Sequence, residues 1–264
     1  MNKEKIEILA PAGNPEALKA AVFSGCDAVY LGGSLFSARA NAGNFNDEEL
    51  IEAVRFCHVR GVKVYVTVNT LVKENEIKPV MEFISFLCKI GVDAVLVQDL
   101  GLFRLIRESC PDLPLHASTQ MSVLDKNGAQ LLKEMGASRV VLSREMSLKE
   151  IKDVSDNVDV ELEVFVHGAL CMSVSGQCYF SAMLGSRSGN RGRCAQPCRL
   201  PFSSDDGKKN VLSLKDLSFI SRLEELQSAG VCSAKIEGRM KRPEYVAAAV
   251  SAGRSAADGE KPNK

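Results

Sequence analysis

Residues 63–99 read KVYVTVNTLVKENEIKPVMEFISFLCKIGVDAVLVQD, and this stretch decides the fold. Val64, Val66 and Val68 alternate with Tyr65, Thr67 and Asn69, the period-two pattern of a strand. A helical pattern through 79–91 follows, closed by Gly91, and then a second apolar run, AVLV, ends in Gln98 and Asp99. A strand, an amphipathic helix and another strand in this order make a parallel βαβ unit.

Working outward, the same unit recurs. Strand-like runs lie at 6–13, 27–33, 63–69, 94–99, 113–118, 139–145, 160–168 and 232–238, each followed by a helical pattern. Gly25, Gly61, Gly91, Gly136 and Gly230 stand where a helix C′ residue is expected. Eight such units in 264 residues match the arithmetic of a (β/α)8 TIM-like barrel in a single domain, 1–264. A doubly wound open sheet is the alternative, but no GxGxxG follows the first strand. Alternation orients the strands. Val64, Val66, Val68, Leu162, Val164 and Val166 should pack on the helices. Tyr65, Thr67, Asn69, Glu163, Phe165, His167, Lys235 and Glu237 should point into the barrel.

The connection after the seventh strand, 168–212, is far longer than a usual βα loop. It carries Cys171, Cys178, Cys194 and Cys198 in a C-x6-C-x15-C-x3-C spacing, and also Arg187, Arg191, Arg193 and Arg199. One half of that spacing is looser than a zinc knuckle. A 4Fe–4S cluster tolerates irregular spacing, and zinc or unligated thiols are the alternatives. Cys232 competes with Cys198 as fourth ligand, although its strand position favours a core role. Cys26, Cys57, Cys88 and Cys110 read as small buried hydrophobes. The loop arginines suit phosphate, carboxylate or an RNA backbone, or else pair with acids at the rim.

Polar residues gather at the strand C-termini, where barrel active sites are built. Asn69, Gln98, Gln120, Arg144, Arg191 and Arg239 are the candidate substrate contacts. Glu163, His167, Lys235 and Glu237 are the candidate catalytic groups. Lys+Arg and Asp+Glu are 33 each, so no global charge points to nucleic acid, and DNA is not expected; a local basic patch remains compatible with RNA. The N-terminus has no apolar signal core and no run approaches about 18 apolar residues, so a cytoplasmic chain off the membrane is expected, in which a disulfide framework is not.

The segment Glu163 to Cys171, EVFVHGALC, with Gly176, Cys178 and Ser181, resembles the signature of the collagenase-like peptidases, peptidase family U-32. Phe180 departs from the aliphatic residue preferred there. LAPAGNPEALKAA, HASTQMS, GNRGRCAQPCRLPF and KIEGRMKRPEYV carry the resemblance along the whole chain. It implies a TIM barrel and either of two activities. One is proteolysis by His167, Glu163 and Glu237, or by Cys171 with His167, though the sequence has neither HExxH nor GxSxG. The other is oxygen-independent hydroxylation of a tRNA or rRNA base, or of a small aromatic such as a ubiquinone precursor. For that second group the resemblance implies an iron–sulfur cluster on the four cysteines and, for the RNA-modifying relatives, prephenate as hydroxyl source. A non-catalytic role beside a related partner subunit is a third reading. Many members continue into a further β-rich domain, so a short member and a piece of a longer protein are both expected.

Overall fold

A computed structural model describes residues 5–39 and 42–260. Eight parallel strands close on themselves: β1 (Glu7–Pro11), β2 (Ala28–Gly32), β3 (Lys63–Val68), β4 (Ala94–Val97), β5 (Leu115–Ala117), β6 (Arg139–Val141), β7 (Glu161–Gly168) and β9 (Ser233–Ile236). Each pairs with the next, β7 pairs with β9, and β9 returns to β1. The two-residue β8 (Leu217–Ser218) is an antiparallel flap on the end of β7. The chain is therefore the expected (β/α)8 barrel.

The helices α1 (Pro15–Phe23), α2 (Asp47–His58), α3 (Ile77–Ile90), α4 (Leu100–Ser109), α5 (Lys126–Glu134) and α6 (Leu148–Asn157) ring the sheet with α8 (Leu223–Ser228) and α9 (Pro243–Ala257). Local chemistry places their starts. Asn14, Asn46, Asp99, Asp125 and Ser147 each accept a backbone N–H of the first turn, satisfying donors that the helix itself leaves free. The five glycines expected to close helices all take positive φ. At Gly91, φ is 77°, a conformation that costs glycine nothing.

Two cores result. Val64, Val66, Val68, Leu162, Val164 and Val166 join the main one between sheet and helices. Leu9, Ala28, Tyr30, Tyr65, Ala94, Leu96 and Val141 form a small cluster inside the barrel, with Phe165 against it. The alternation read from β3 therefore holds. In β7 it holds as far as Phe165. There the register with β9 slips between Phe165 and His167, and the extra residue inverts the phase. His167 consequently leaves the barrel interior and stacks on Tyr245 of α9, ring centroids 5.7 Å apart. The inward orientation expected for His167 is corrected by that bulge. Cys26 and Cys57 are buried as expected, but Cys88 is exposed and Cys110 only half-buried.

Ionic groups fill the lower barrel. Arg139 bridges Glu7 at 2.6 Å, Glu161 at 2.8 Å and Glu163 at 3.2 Å. Lys235 bonds Glu163 at 2.7 Å and lies over the Tyr30 ring. Burial opposes the Arg139 charge, but Glu163 and Glu7 outweigh it and hold its pKa above the ordinary value. Beside this network His116 is buried edge-on to Tyr65, with its Nδ1 unpartnered. Burial, then the charges of Arg139, Lys235 and Lys63, push its pKa well below that of a free histidine. Native His116 thus stays neutral while the unfolded residue takes a proton near pH 6.5. The unfolded state then binds more protons, so stability falls with acid below about pH 6.5, by up to about 1.4 kcal/mol per pH unit for one group. Urea midpoints of wild type and His116→Phe at pH 7.5 and 5.5 should show the smaller drop in the variant. Equal drops would remove His116 as the cause.

Candidate active site at the barrel mouth

The open, C-terminal end of the barrel is a well of charge. Glu237, just past β9, meets Arg39 at 3.1 Å and Arg144 at 3.5 Å. Arg239 donates to Ser37 Oγ at 2.7 Å and Thr67 Oγ1 at 3.0 Å. Burial works to raise the Glu237 carboxyl, but Arg39, Arg144 and Arg239 outweigh it and hold it below the usual carboxylate range. Burial drives Arg239 down to about 10. Arg144 lies 3.8 Å over the Phe165 ring and donates to Ser175 Oγ at 2.6 Å. Three guanidiniums around one carboxylate leave an excess of positive charge in a desolvated place, the electrostatics of a small-anion site. Gly13 makes this packing possible: a Cβ there would sit 1.8 Å from the Arg239 carbonyl oxygen.

Arg144→Met keeps the aliphatic stem but removes one cation. It should weaken binding of a small dicarboxylate about tenfold or more, as loss of a charge-assisted hydrogen bond does. Glu237→Gln should tighten the same binding. Calorimetric titration reads both, and an unchanged affinity in Arg144→Met would remove Arg144 from the anion site.

The connection from β7 to β8 arches over this well. It contains α7 (Phe180–Gly185) and short 3-10 turns at Gly189–Arg191 and Pro197–Arg199. Its cationic residues anchor it. Arg191 is held by Glu76 at 2.6 Å and donates to the Leu71 carbonyl, clamping the arch to the rim. Arg199 donates to Ser213 Oγ and to the Leu214 and Leu170 carbonyls.

All four cysteines lie on this arch, and Cys178 and Cys194 both pack against Gly189, where a Cβ would meet the Cys178 carbonyl oxygen at 3.4 Å and Cys194 Cβ at 3.8 Å. Burial raises the Cys198 thiol; Arg199 opposes this, and Cys171, Cys194 and Cys178 lie close enough to add to it. As a donor set, four soft thiols with no competing carboxylate suit an iron–sulfur cluster or zinc. Among the described residues, however, no three ligand side chains surround a common metal position. Cys232 lies elsewhere. It precedes β9 at the opposite end of the barrel, where its thiol donates to the Leu162 carbonyl at 3.3 Å and burial raises it to about 11.

The remaining sequence candidates separate into three groups. Glu163 and Lys235 are buried below the mouth and paired with each other. Asn69 is structural in its contacts, accepting from Ala38 N and donating to Ser118 Oγ. Gln98 and Gln120 line a separate cavity on the rim. His167, Glu163 and Glu237 do not converge: the bulge turns the first outward, and ion pairs occupy the other two. Sequence reasoning missed Arg39, Tyr30 and Arg139. Inward alternation along β2 signals Tyr30, and a charge inside β6 signals Arg139. Nothing in the aperiodic 33–46 segment signals Arg39.

A closed (β/α)8 barrel, with an arginine well at its C-terminal mouth and a thiol-bearing arch over it, defines the class. The chain belongs to peptidase family U32, whose profile matches residues 13–263. It is 41% identical over 253 residues to the 23S rRNA 5-hydroxycytidine C2501 synthase of Escherichia coli K12, covering 93% of this chain and 38% of that protein. It is 39% identical over 268 residues to the tRNA hydroxylation protein P1 of Bacillus subtilis 168, covering 97% of this chain and 64% of the relative. The chain thus spans about two fifths and under two thirds of these curated relatives. The solved structure of the U32 peptidase Mk0906 superposes with a TM-score of 0.63 at 16% identity, covering 89% of this chain and 94% of that one; this likeness is one of fold. Among the described residues no helix is long and apolar enough to cross a membrane.

Proposed function

We propose that this chain is the barrel of an enzyme that hydroxylates a pyrimidine base of tRNA or rRNA without dioxygen. The observation that carries the reading is the seating of the four-cysteine arch on the arginine well: Arg144 donates to Ser175 Oγ of the arch at 2.6 Å, and Gly192 of the arch packs against the Ser37 carbonyl beside Arg39. Cys171, Cys178, Cys194 and Cys198 would hold a 4Fe–4S cluster, which supplies one-electron chemistry when bound. The arginine well would orient a small carboxylate such as prephenate, the hydroxyl source that the family resemblance implies. Glu237 limits the well's net charge and keeps Arg39 and Arg144 in position. Charge distribution supports an RNA partner: between 169 and 216 there are seven basic and three acidic residues, a net +4 on a chain of zero formal charge. Such a surface attracts phosphate backbone. RNA chemistry and a cytoplasmic location accord with each other. The two named RNA-hydroxylating relatives point the same way, while the dispersal of His167, Glu163 and Glu237 gives proteolysis no assembled constellation.

Nucleoside mass spectrometry of RNA from cells with and without the gene tests this. One hydroxylated pyrimidine should disappear in the deletion and return with the wild-type gene. Unchanged nucleosides in both tRNA and rRNA would overturn the reading.

A further inference from the structure

Beside the arginine well, a second cavity of about 670 Å³ opens on the rim between the ends of β4 and β5 and the arch. Its volume lies in the range of small-molecule sites. Gln98 and Gln120 are both on its wall, each less than a tenth exposed, and both side-chain oxygens are buried without a hydrogen-bond partner. Native proteins satisfy nearly all such groups, so two unpaired amide oxygens at one cavity call for an explanation. They are not slack in a loose loop. Ser122 donates to the Ser175 carbonyl at 2.9 Å and accepts from Gln177 at 3.3 Å, tying the arch to the segment that carries Gln120. Gly176, at φ +84°, lies so close that a Cβ would stand 2.7 Å from the Gln120 carbonyl oxygen.

We infer that this rim cavity receives the unstacked pyrimidine base of the RNA, read along its edge by the Gln98 and Gln120 amides. The inference rests on the RNA-hydroxylation reading for the identity of the base, and on the cavity's own chemistry for the kind of ligand. An amide offers one donor and one acceptor side by side, which match the edge of cytosine or uracil and equally that of adenine, so the choice of a pyrimidine comes from the RNA-hydroxylation reading. The cavity is unsuited to phosphate. Its nearby charges are Asp99 and Asp125, whose carboxylates cap α4 and α5. The positive arch outside would instead hold the backbone. Tyr179, 64% exposed at the cavity edge, offers a ring on which a base can stack. It directly follows Cys178, so a base held here lies beside the thiol arch. Extruding a base from a strand costs a few kcal/mol, and the two amides would supply contacts in return.

The test uses the full chain and free nucleosides as probes, followed by saturation-transfer NMR, with Gln98→Met/Gln120→Met as the variant. Methionine keeps the shape and removes the amide. Cytidine and uridine should receive saturation from wild type, and the variant should bind both at least about tenfold more weakly. The variant's thermal midpoint should hold or rise, since it loses two unpaired buried acceptors; a residue kept for stability would give a fall. No transfer to either nucleoside, or undiminished binding in the variant, would overturn the inference. If pyrimidines bind as described but deletion cells retain every hydroxylated base, the cavity assignment stands and the RNA reading falls. If a hydroxylated base is lost while wild type binds no pyrimidine, the reverse holds.

Discussion

Glu163→Gln should lower the thermal midpoint by roughly 6–20 °C. Glu163 is fully buried, and its carboxylate faces Lys235 at 2.7 Å and Arg139 at 3.2 Å. Arg139 keeps Glu7 and Glu161 when Glu163 is neutralised, but Lys235 loses the acid that, among the described residues, bonds it. Breaking a buried pair on one side costs about 3–5 kcal/mol because the other charge stays desolvated. Each kcal/mol moves the midpoint of a domain this size by about 2–4 °C. The pH dependence gives a second signature. Burial already lowers the Lys235 pKa, and Glu163 opposes that. Without Glu163 the native amine sheds its proton more readily than the unfolded one. The unfolded state then binds more protons, so the variant's deficit should shrink as pH rises from 7 to 9. Removing both charges in Glu163→Met/Lys235→Met should recover most of the loss. A double variant as unstable as the single one, measured by calorimetry, would mean that the cost is packing and not charge.

On the proposed cluster reading, Cys198→Ala should abolish iron incorporation and hydroxylation, whereas Cys232→Ala should preserve both. Both residues are candidate fourth ligands by composition. Cys198 is carried by the same arch over the mouth as Cys171, Cys178 and Cys194; Cys232 is at the other end of β9, bonded to the Leu162 carbonyl. Thiolate ligands cannot act across the length of a strand, since metal–sulfur bonds are about 2.3 Å. Anaerobic purification followed by iron and sulfide assay checks this. Iron near four per chain is expected for wild type and Cys232→Ala, and little for Cys198→Ala. Full iron in Cys198→Ala, or its loss in Cys232→Ala, would reverse the ligand assignment. Zinc in place of iron would retain the site but end the redox reading.

Much of the barrel was legible in order along the chain. The alternation of Val64, Val66 and Val68 with Tyr65 and Thr67 is a short-range signal, because side chains of a strand alternate whatever it pairs with. The glycines that close the helices were legible for the same reason. The inversion at His167 was not. A bulge is a count of two residues against one on the partner, and the partner, β9, lies about 70 residues away. The mouth was legible as a list of polar strand ends but not as a network. Arg144, Glu237 and Arg239 were found; Arg39, which makes the shorter of the two ion pairs to Glu237, was not. Arg191 looked free in sequence and is held by Glu76, which precedes it by over a hundred positions.

Taken alone, the order of residues determined the eight βα units, the faces that β3 and, as far as Phe165, β7 turn to the helices, and the gathering of four cysteines in one connection. These depend on period, spacing and capping, all of which act within a few residues. Tertiary structure alone decided which charges meet. Closing the ring brings Glu7, Arg139, Glu163 and Lys235 from four strands into one buried cluster, and Arg39, Arg144 and Glu237 from three loops into one well. Coulombic pairing depends on distance and desolvation in space, and neither is written in separation along the chain.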